Sequence, residues 1–482
     1  MHDLRAIARQ AMIDRDLLPE FGRDVERELR TIEKAEGVAG NAADLRDLLW
    51  ASIDNDDSRD LDQLSVAESL AGGRTRVLVA IADVGAVVST GSAIDRHARH
   101  NTTSVYTAAQ IFPMLPEKLS TDLTSLNPGE ERLAVVMEMI VDDAGHVRDG
   151  NVQRALVHNR AQLAYDSVGA WLEGRGAMPE AMARIEGLDE VIRLQSDAAQ
   201  RLRRRRYELG ALDLETIEAR AVMSDGKVID VRATERNRAR DLIEDFMIAA
   251  NGVAARFLAG RRFPSIRRVV RAPERWGRIV ELAAGLGETL PPEPDSLALE
   301  EFLLARKRED PARFPDLSLT IIKLMGRGEY VFEPAGSSSP GHFGLAVRDY
   351  THSTAPNRRY PDLITQRLLE AAIAHEAIPY SLEDLEALAA HCTAKENDAD
   401  KVERLVMKAA AAILLESRIG ERFDAFVTGA SPKGTWVRIL RPPIEGKLVK
   451  GSGRLDVGDR IRVKLVGTDV ERGYIDFERV RK

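Results

Sequence analysis

A single cysteine, Cys392, in 482 residues excludes an intramolecular disulfide framework and any cysteine-rich zinc site. No run of about 18 apolar residues occurs, so no membrane-spanning helix is expected. The residues Met1-His-Asp-Leu-Arg-Ala are charged where a secretory leader would carry an apolar core. These absences point to a reducing, cytoplasmic compartment. Basic residues do not outnumber acidic ones. The balance of 69 against 77 leaves a formal charge of −8, which excludes a wholesale cationic coat but not a locally positive channel around an anionic partner. No internal repeat, low-complexity tract, phosphate-binding P-loop or Ser/His/Asp triad is present. What is there is ordinary globular material, 44% apolar and 30% charged. At roughly 150 residues per domain, the length suits about three domains.

The fold class expected is α+β, because helices and strands interleave without a regular βαβ repeat. Residues 1–45 read as a small helical domain. Leu4, Ile7, Ala8, Ala11 and Met12 form one stripe, Pro19 breaks it, and Phe21, Val25, Leu29 and Ile32 form the next. This fits a helix-turn-helix-like unit or any other helical hairpin, closing in a turn at 37–40. Residues 46–416 carry buried-strand candidates at 76–88 and 133–141 and helices over 180–206 and 235–260. Ser381 and Asp384 resemble a capping box opening a helical stretch towards Ile419, with or without a break. Residues 417–482 differ in character. Five short strand candidates separated by turns suit an OB-type barrel, a common platform for single-stranded nucleic acid. Trp436 and Arg438 share one face of a strand there, with the barrel core as the other place for Trp436.

Two clusters carry chemistry. Between Asp54 and Asp62 five aspartates occupy nine residues, a density that calls for solvation or shared cations. A calcium EF-hand is ruled out, since its glycine and glutamate positions hold Arg59 and Ser65. A solvated acidic loop and a hard-cation site for Mg²⁺ against phosphate both remain. Downstream, Tyr350–Asp362 packs Arg358 and Arg359 among two tyrosines and two prolines. Guanidinium forks suit phosphate oxygens and the charge of a phosphoryl transition state. Acids, arginines and an OB-like barrel together suggest phosphodiester chemistry on RNA or single-stranded DNA.

Ser52–Asp62, Ile81–Val84, Gly91–Tyr106, Phe112–Gly129, Gly210–Glu218, Asp241–Asn251, Gly341–Leu345 and Tyr350–Leu363, in this order, resemble the ribonuclease II/ribonuclease R (RNB) family, and the terminal barrel resembles that family's S1 domain. The resemblance covers about residues 46–482. It implies processive, Mg²⁺-dependent hydrolysis of RNA from the 3′ end to nucleoside 5′-monophosphates by a monomer, with Mn²⁺ as a substitute ion. It assigns Asp54, Asp60 and Asp62 as catalytic aspartates in two-metal chemistry and Arg358 as the contact to the scissile phosphate. Tyr106 would stack on the terminal base, and Tyr165 and Glu244 would look to the ribose. Glu403 would sit near the last nucleotides, and Arg359 and Trp436 join the RNA-contacting set. His352 is expected to support the Arg358 loop, and His97 and His100 to lie on a helix surface.

The chain departs from the family pattern in three places. A fourth aspartate is replaced by Gln63, whose amide oxygen can ligate a cation but brings no charge. The aromatic opposite the stacking tyrosine is replaced by Leu214, which implies a looser clamp. The two cold-shock barrels usual in the family cannot fit into 45 residues, so the helical segment would take their place and leave the RNA entrance open to duplexes. Two functions follow as expectations: an exoribonuclease, or a catalytically weak or inactive RNA-binding protein of the same fold because of Gln63.

Overall fold

A computed structural model of the chain describes residues 2–32, 42–216, 219–224, 227–233, 236–311, 313–337, 340–431, 434–453, 455 and 457–480. The turn expected at 37–40 lies outside them. The centre is a seven-stranded sheet in the order Ala43–Asp44, Val147–His158, Glu131–Val141, Thr75–Ala82, Gln63–Ser69, Ala51–Asp54, Ala161–Ala164. Pairing is antiparallel except at the edges, where the first and last strands run parallel to their neighbours. Val77 to Ala82 are fully buried, so the central strand is covered on both faces and reads as one apolar run. It stops at Ala82 rather than reaching Val88. The Asp83 carboxylate ends it by accepting the Ala86 N–H (3.1 Å) and pairing with Arg154 (2.7 Å).

The helices Leu188–Glu208 and Arg238–Gly260 pack on this sheet. A separate turn, Glu180–Ala183, replaces the start expected for the first of them. The hairpin between Glu131–Val141 and Val147–His158 closes at Gly145, which has φ +77° and sits so close to the first helix that a Cβ would meet the Arg201 carbonyl at 2.1 Å. Only glycine fits there. Much of the arginine run 201–206 is spent on this packing: Arg201 donates to the Gly73 and Asp142 carbonyls, and Arg203 and Arg206 pair with Asp245.

Helix Leu382–Glu416 is continuous over 35 residues, roughly 50 Å at about 1.5 Å per residue. The Ser381 hydroxyl caps it, accepting the Asp384 N–H at 3.0 Å. Its first half, from Leu385 to Cys392, joins the sheet core, and its second half, from Ala399 to Leu415, joins a second core shared with the carboxy-terminal barrel. The amino-terminal helices divide in the same way. Leu4–Ile13 packs into the second core, while Arg23–Leu29 puts Val25 into the first. Phe21 lies 4.4 Å from the His97 ring, so His97 is buried rather than on the surface, and burial lowers its pKa to about 4.

The barrel is closed, in the order Arg422–Ser431, Gly434–Ile439, Glu445–Lys450, Tyr474–Arg479, Arg460–Asp469. Val437 and Ile439 face its core, which leaves Trp436 and Arg438 on the outer face. Arg438 is not free there: it pairs at 3.0 Å with buried Asp316 of helix Phe314–Met325 and so ties the barrel to a satellite cluster of helices. That cluster contains buried Glu300, which accepts the Asp213 N–H (2.8 Å) through one oxygen while its other oxygen has no partner. Burial lifts this carboxyl from 4.5 to about 7.

The folded chain therefore holds the Glu300 proton more tightly than the unfolded chain does. The stability this contributes is complete below pH 4.5 and is lost as pH rises through about 7. Glu300→Gln keeps the acceptor and cannot ionise. Thermal melts of the two proteins should coincide near pH 5, with the variant melting higher at pH 8; a gap independent of pH would contradict this.

Candidate active site

The acidic loop joins two strands of the central sheet. Strand Ala51–Asp54 ends at Asp54, whose Oδ1 accepts the Asn55 N–H (2.7 Å) and the Ser58 hydroxyl (3.0 Å). The chain returns at Gln63 after four further aspartates, of which Asp60 and Asp62 turn towards the arginine segment. Asp60 is half-buried and accepts the Tyr106 hydroxyl at 3.4 Å. Asp62 is buried; its Oδ1 accepts the Asn357 N–H at 3.2 Å and its Oδ2 lies 3.5 Å from Arg358 Nε. Burial, reinforced by the charge of Asp60 and opposed by Arg358, raises the Asp62 carboxyl to about 7. Burial also raises Asp60, with Asp54 adding to it.

The arginine segment is rigid because many of its backbone and side-chain groups are bound. Thr351 donates to the Ile266 carbonyl (2.6 Å), Ser353 donates twice to Asn251 Oδ1, and the Ala355 N–H reaches Asp362 Oδ1 (2.9 Å). The Tyr360 hydroxyl donates to Asp95 (3.0 Å) and His352 meets the Tyr330 hydroxyl (2.9 Å), which gives His352 the supporting place expected for it. On this frame Arg358 projects half-exposed beside the acids, whereas Arg359 turns inward to Asp362 (2.7 Å). Arg359 is thus a structural residue: its guanidinium neutralises a fully buried carboxylate instead of facing an RNA path. Adjacent arginines read alike in sequence, and only the helix beginning at Tyr360 separates their directions.

Tyr106 is 41% exposed. Its N–H donates to Glu403 Oε1 at 2.7 Å, and burial raises the Glu403 carboxyl above the usual range. Both residues line a cavity of about 870 Å³ with Ile111, Arg220, Arg404 and Met407. Tyr165 opens the helix Tyr165–Leu172 on the Asp54 side; Arg240 lies over its ring at 4.5 Å and reaches Asn55 at 3.1 Å. Glu244 and Leu214 stand apart from these contacts. Glu244 pairs with Arg203 and Arg236, and Leu214 packs against the satellite helices. Gln63 is buried and donates its amide to the Ile53 carbonyl (3.3 Å).

Among the described residues no three His, Cys, Asp or Glu side chains converge into a ready metal cage. The donor chemistry nevertheless fits a hard divalent cation. Asp54, Asp60 and Asp62 supply carboxylate oxygens, and burial raises two of them by more than Arg358 offsets, so a bound cation would favour their charged forms. Asn357 and Arg240 are site residues that the sequence reading passed over. Asn357 holds Asp62 by its backbone and keeps a buried, unpartnered Nδ2. Its position beside Arg358 was the one available signal.

Comparison with known proteins decides the family. The RNB domain family matches residues 42–375, and the RNase II-type exonuclease C-terminal S1 domain matches residues 421–480. The chain belongs to the RNB family. Among curated RNB-family relatives it is 31% identical to ribonuclease R of Aquifex aeolicus over 91% of its own length and 65% of that protein. The corresponding figures for ribonuclease R of Escherichia coli are 32%, 92% and 58%. The chain therefore spans about three-fifths of the length of these relatives. Its RNB fold matches the structure of a Mycoplasma genitalium RNase R in complex with ribose-methylated single-stranded RNA at a TM-score of 0.88 and 23% identity, covering 99% of this chain and 78% of that one.

Glu403 anchors the Tyr106 strand through one hydrogen bond to a backbone donor. Glu403→Ala should lower unfolding stability by about 1–3 kcal/mol, and Glu403→Gln should restore most of it. Equal urea midpoints for the two variants would remove this anchoring role.

Proposed function

We propose that this RNB-family chain is a hydrolytic 3′→5′ exoribonuclease that releases nucleoside 5′-monophosphates from single-stranded RNA, acting as a cytoplasmic monomer. The observation that carries the reading is the juxtaposition of buried Asp62 with Arg358, with Asp60 and Tyr106 beside them. In this reading residues 1–45 are a helical accessory domain, 46–416 the catalytic domain and 417–482 the S1 domain. RNA as the partner is supported by the M. genitalium relative, which was solved with RNA.

Each side chain has work suited to its place. Arg358, half-exposed and held by a rigid loop, offers its guanidinium to the scissile phosphate and to the charge that builds on it. Tyr106 presents its ring to the terminal base, a contact blind to sequence because every base has a π-face. Tyr165, with Arg240 over its ring, supports the ribose side. Asp54, Asp60 and Asp62 would hold Mg²⁺ or Mn²⁺, which when bound supplies an activated water and stabilises the leaving 3′ oxygen. Gln63, its amide nitrogen engaged at Ile53, is a structural residue in this reading. Trp436, on the outer barrel face, remains available to RNA, while Arg438 is committed to Asp316.

Two tests follow. With Mg²⁺, a 5′-labelled single-stranded RNA should shorten stepwise from its 3′ end while the matching DNA persists. Asp62→Asn should abolish the ladder, and Tyr106→Ala should weaken RNA binding by roughly 5- to 150-fold, the value of about 1–3 kcal/mol per stacked base. RNA bound but never shortened would instead give the chain a binding role, with Gln63→Asp as the next variant. Separately, millimolar Mg²⁺ or Mn²⁺ should raise Tm. Asp62→Asn should lose most of that rise and, without divalent cation, melt no lower than the parent because a buried charge is gone. An unchanged cation response in the variant would place the ion elsewhere.

A further inference from the structure

A second cavity of about 390 Å³ opens on the far side of the helix pair Leu188–Glu208 and Arg238–Gly260, against the Gly145 hairpin and residues 347–349. Its size lies in the range of small-ligand sites, about 300–1,000 Å³. None of the catalytic or RNA-contacting side chains named above lines it.

Its charge is one-sided. Arg205, Arg206, Arg256 and Arg348 line it, with Asp245 and Asp349 as the only acids. Asp245 is already taken by Arg203 and Arg206, and Arg205 pairs with Glu208 at 3.0 Å. Arg256 and Arg348 form no ion pair among the described residues, and the field of Asp349 is all that acts in favour of the Arg256 charge. Arg256 and Arg348 are exposed at the mouth of the cavity, and crowding by its wall lowers the Arg256 guanidinium from its ordinary value. Gly252 makes room for it: a Cβ at that position would stand 3.1 Å from Arg256 Nη1. The remaining wall is apolar apart from His146, with Leu202 and Ile248 buried and half-exposed Leu209 lining it.

Two unpaired guanidinium forks beside an apolar wall in a bounded cavity suit a ligand with a phosphate at one end and a flat, weakly polar body at the other. We propose that this cavity binds a nucleoside 5′-monophosphate, with Arg256 and Arg348 on the phosphate and the Leu202–Ile248 wall against the base. A phosphodiester strand is the competing ligand for this open cleft, and the RNA arm of the test separates the two. The site stands on its own residues, whether or not the acid cluster cleaves RNA. If it does, the ligand is of the product's class, and the cavity would report product level to the loop that starts at Tyr350 and carries Arg358.

The test is calorimetric titration of the full chain, without divalent cation, using AMP, adenosine, inorganic phosphate and a short RNA. AMP should bind one site more tightly than adenosine or phosphate. Arg256→Met and Arg348→Ala, both at exposed positions, should each weaken it about tenfold or more, while Tyr106→Ala should leave it unchanged. Three results would overturn the proposal: AMP binding indifferent to both arginine variants, AMP binding lost in Tyr106→Ala, or phosphate binding as tightly as AMP. If the arginine variants weaken the RNA and not AMP, the cavity is a stretch of RNA surface instead. A ladder assay on the arginine variants separates this from the nuclease reading: they should still shorten RNA, so loss of AMP binding with cleavage intact fails neither, and absent cleavage with AMP binding intact fails only the nuclease.

Discussion

One helix belongs to two apolar cores at once, and the arrangement of the molecule follows from that sharing. Leu382–Glu416 buries its first half against the central sheet and its second half against the barrel and the first amino-terminal helix. Removing either set of apolar side chains from water would stabilise only one end. Because the helix is unbroken, both cores are held at a set separation, and a residue on it can act on either. Glu403 does so: from this helix it holds the backbone of Tyr106, whose hydroxyl meets Asp60. The barrel is fastened a second time, through Arg438 and Asp316.

Within that frame the acid cluster is a place of unrelieved charge. Buried Asp62 faces one arginine and one backbone N–H, and its raised pKa reflects too little compensation, not too much. Structural carboxylates elsewhere in the chain are better matched. Asp362 has Arg359, and Asp83 has Arg154. Glu300 shares the raised value outside this cluster, so what sets the site apart is an undercompensated buried acid with further carboxylates and a half-exposed arginine beside it. Arg256 and Arg348, exposed at the mouth of the second cavity, likewise lack the ion pairs that occupy many other arginines of the described residues.

The arginines show how far composition can mislead. Runs at 201–206 and 261–271 invite a reading as a basic surface, yet Arg201, Arg203 and Arg206 clamp helices, and Arg267 is buried with Glu333 at 2.7 Å.

Sequence by itself determined what neighbours in the chain decide. The five barrel strands, the Ser381 cap, the order of motifs and the density of aspartates at 54–62 all depend on residues a few positions apart, where turn chemistry and apolar periodicity act. Tertiary structure alone decided what distant segments do to each other. Asp62 and Asn357 are 295 residues apart, and only folding buries that carboxylate beside Arg358. The opposite fates of Arg358 and Arg359, the burial of His97 under Phe21, and the distance of Leu214 and Glu244 from the Tyr106 contacts likewise come from packing. The physical reason is common to all of them. Desolvation and pairing are set by what surrounds a group in space, and a linear pattern holds that information only through the fold it produces.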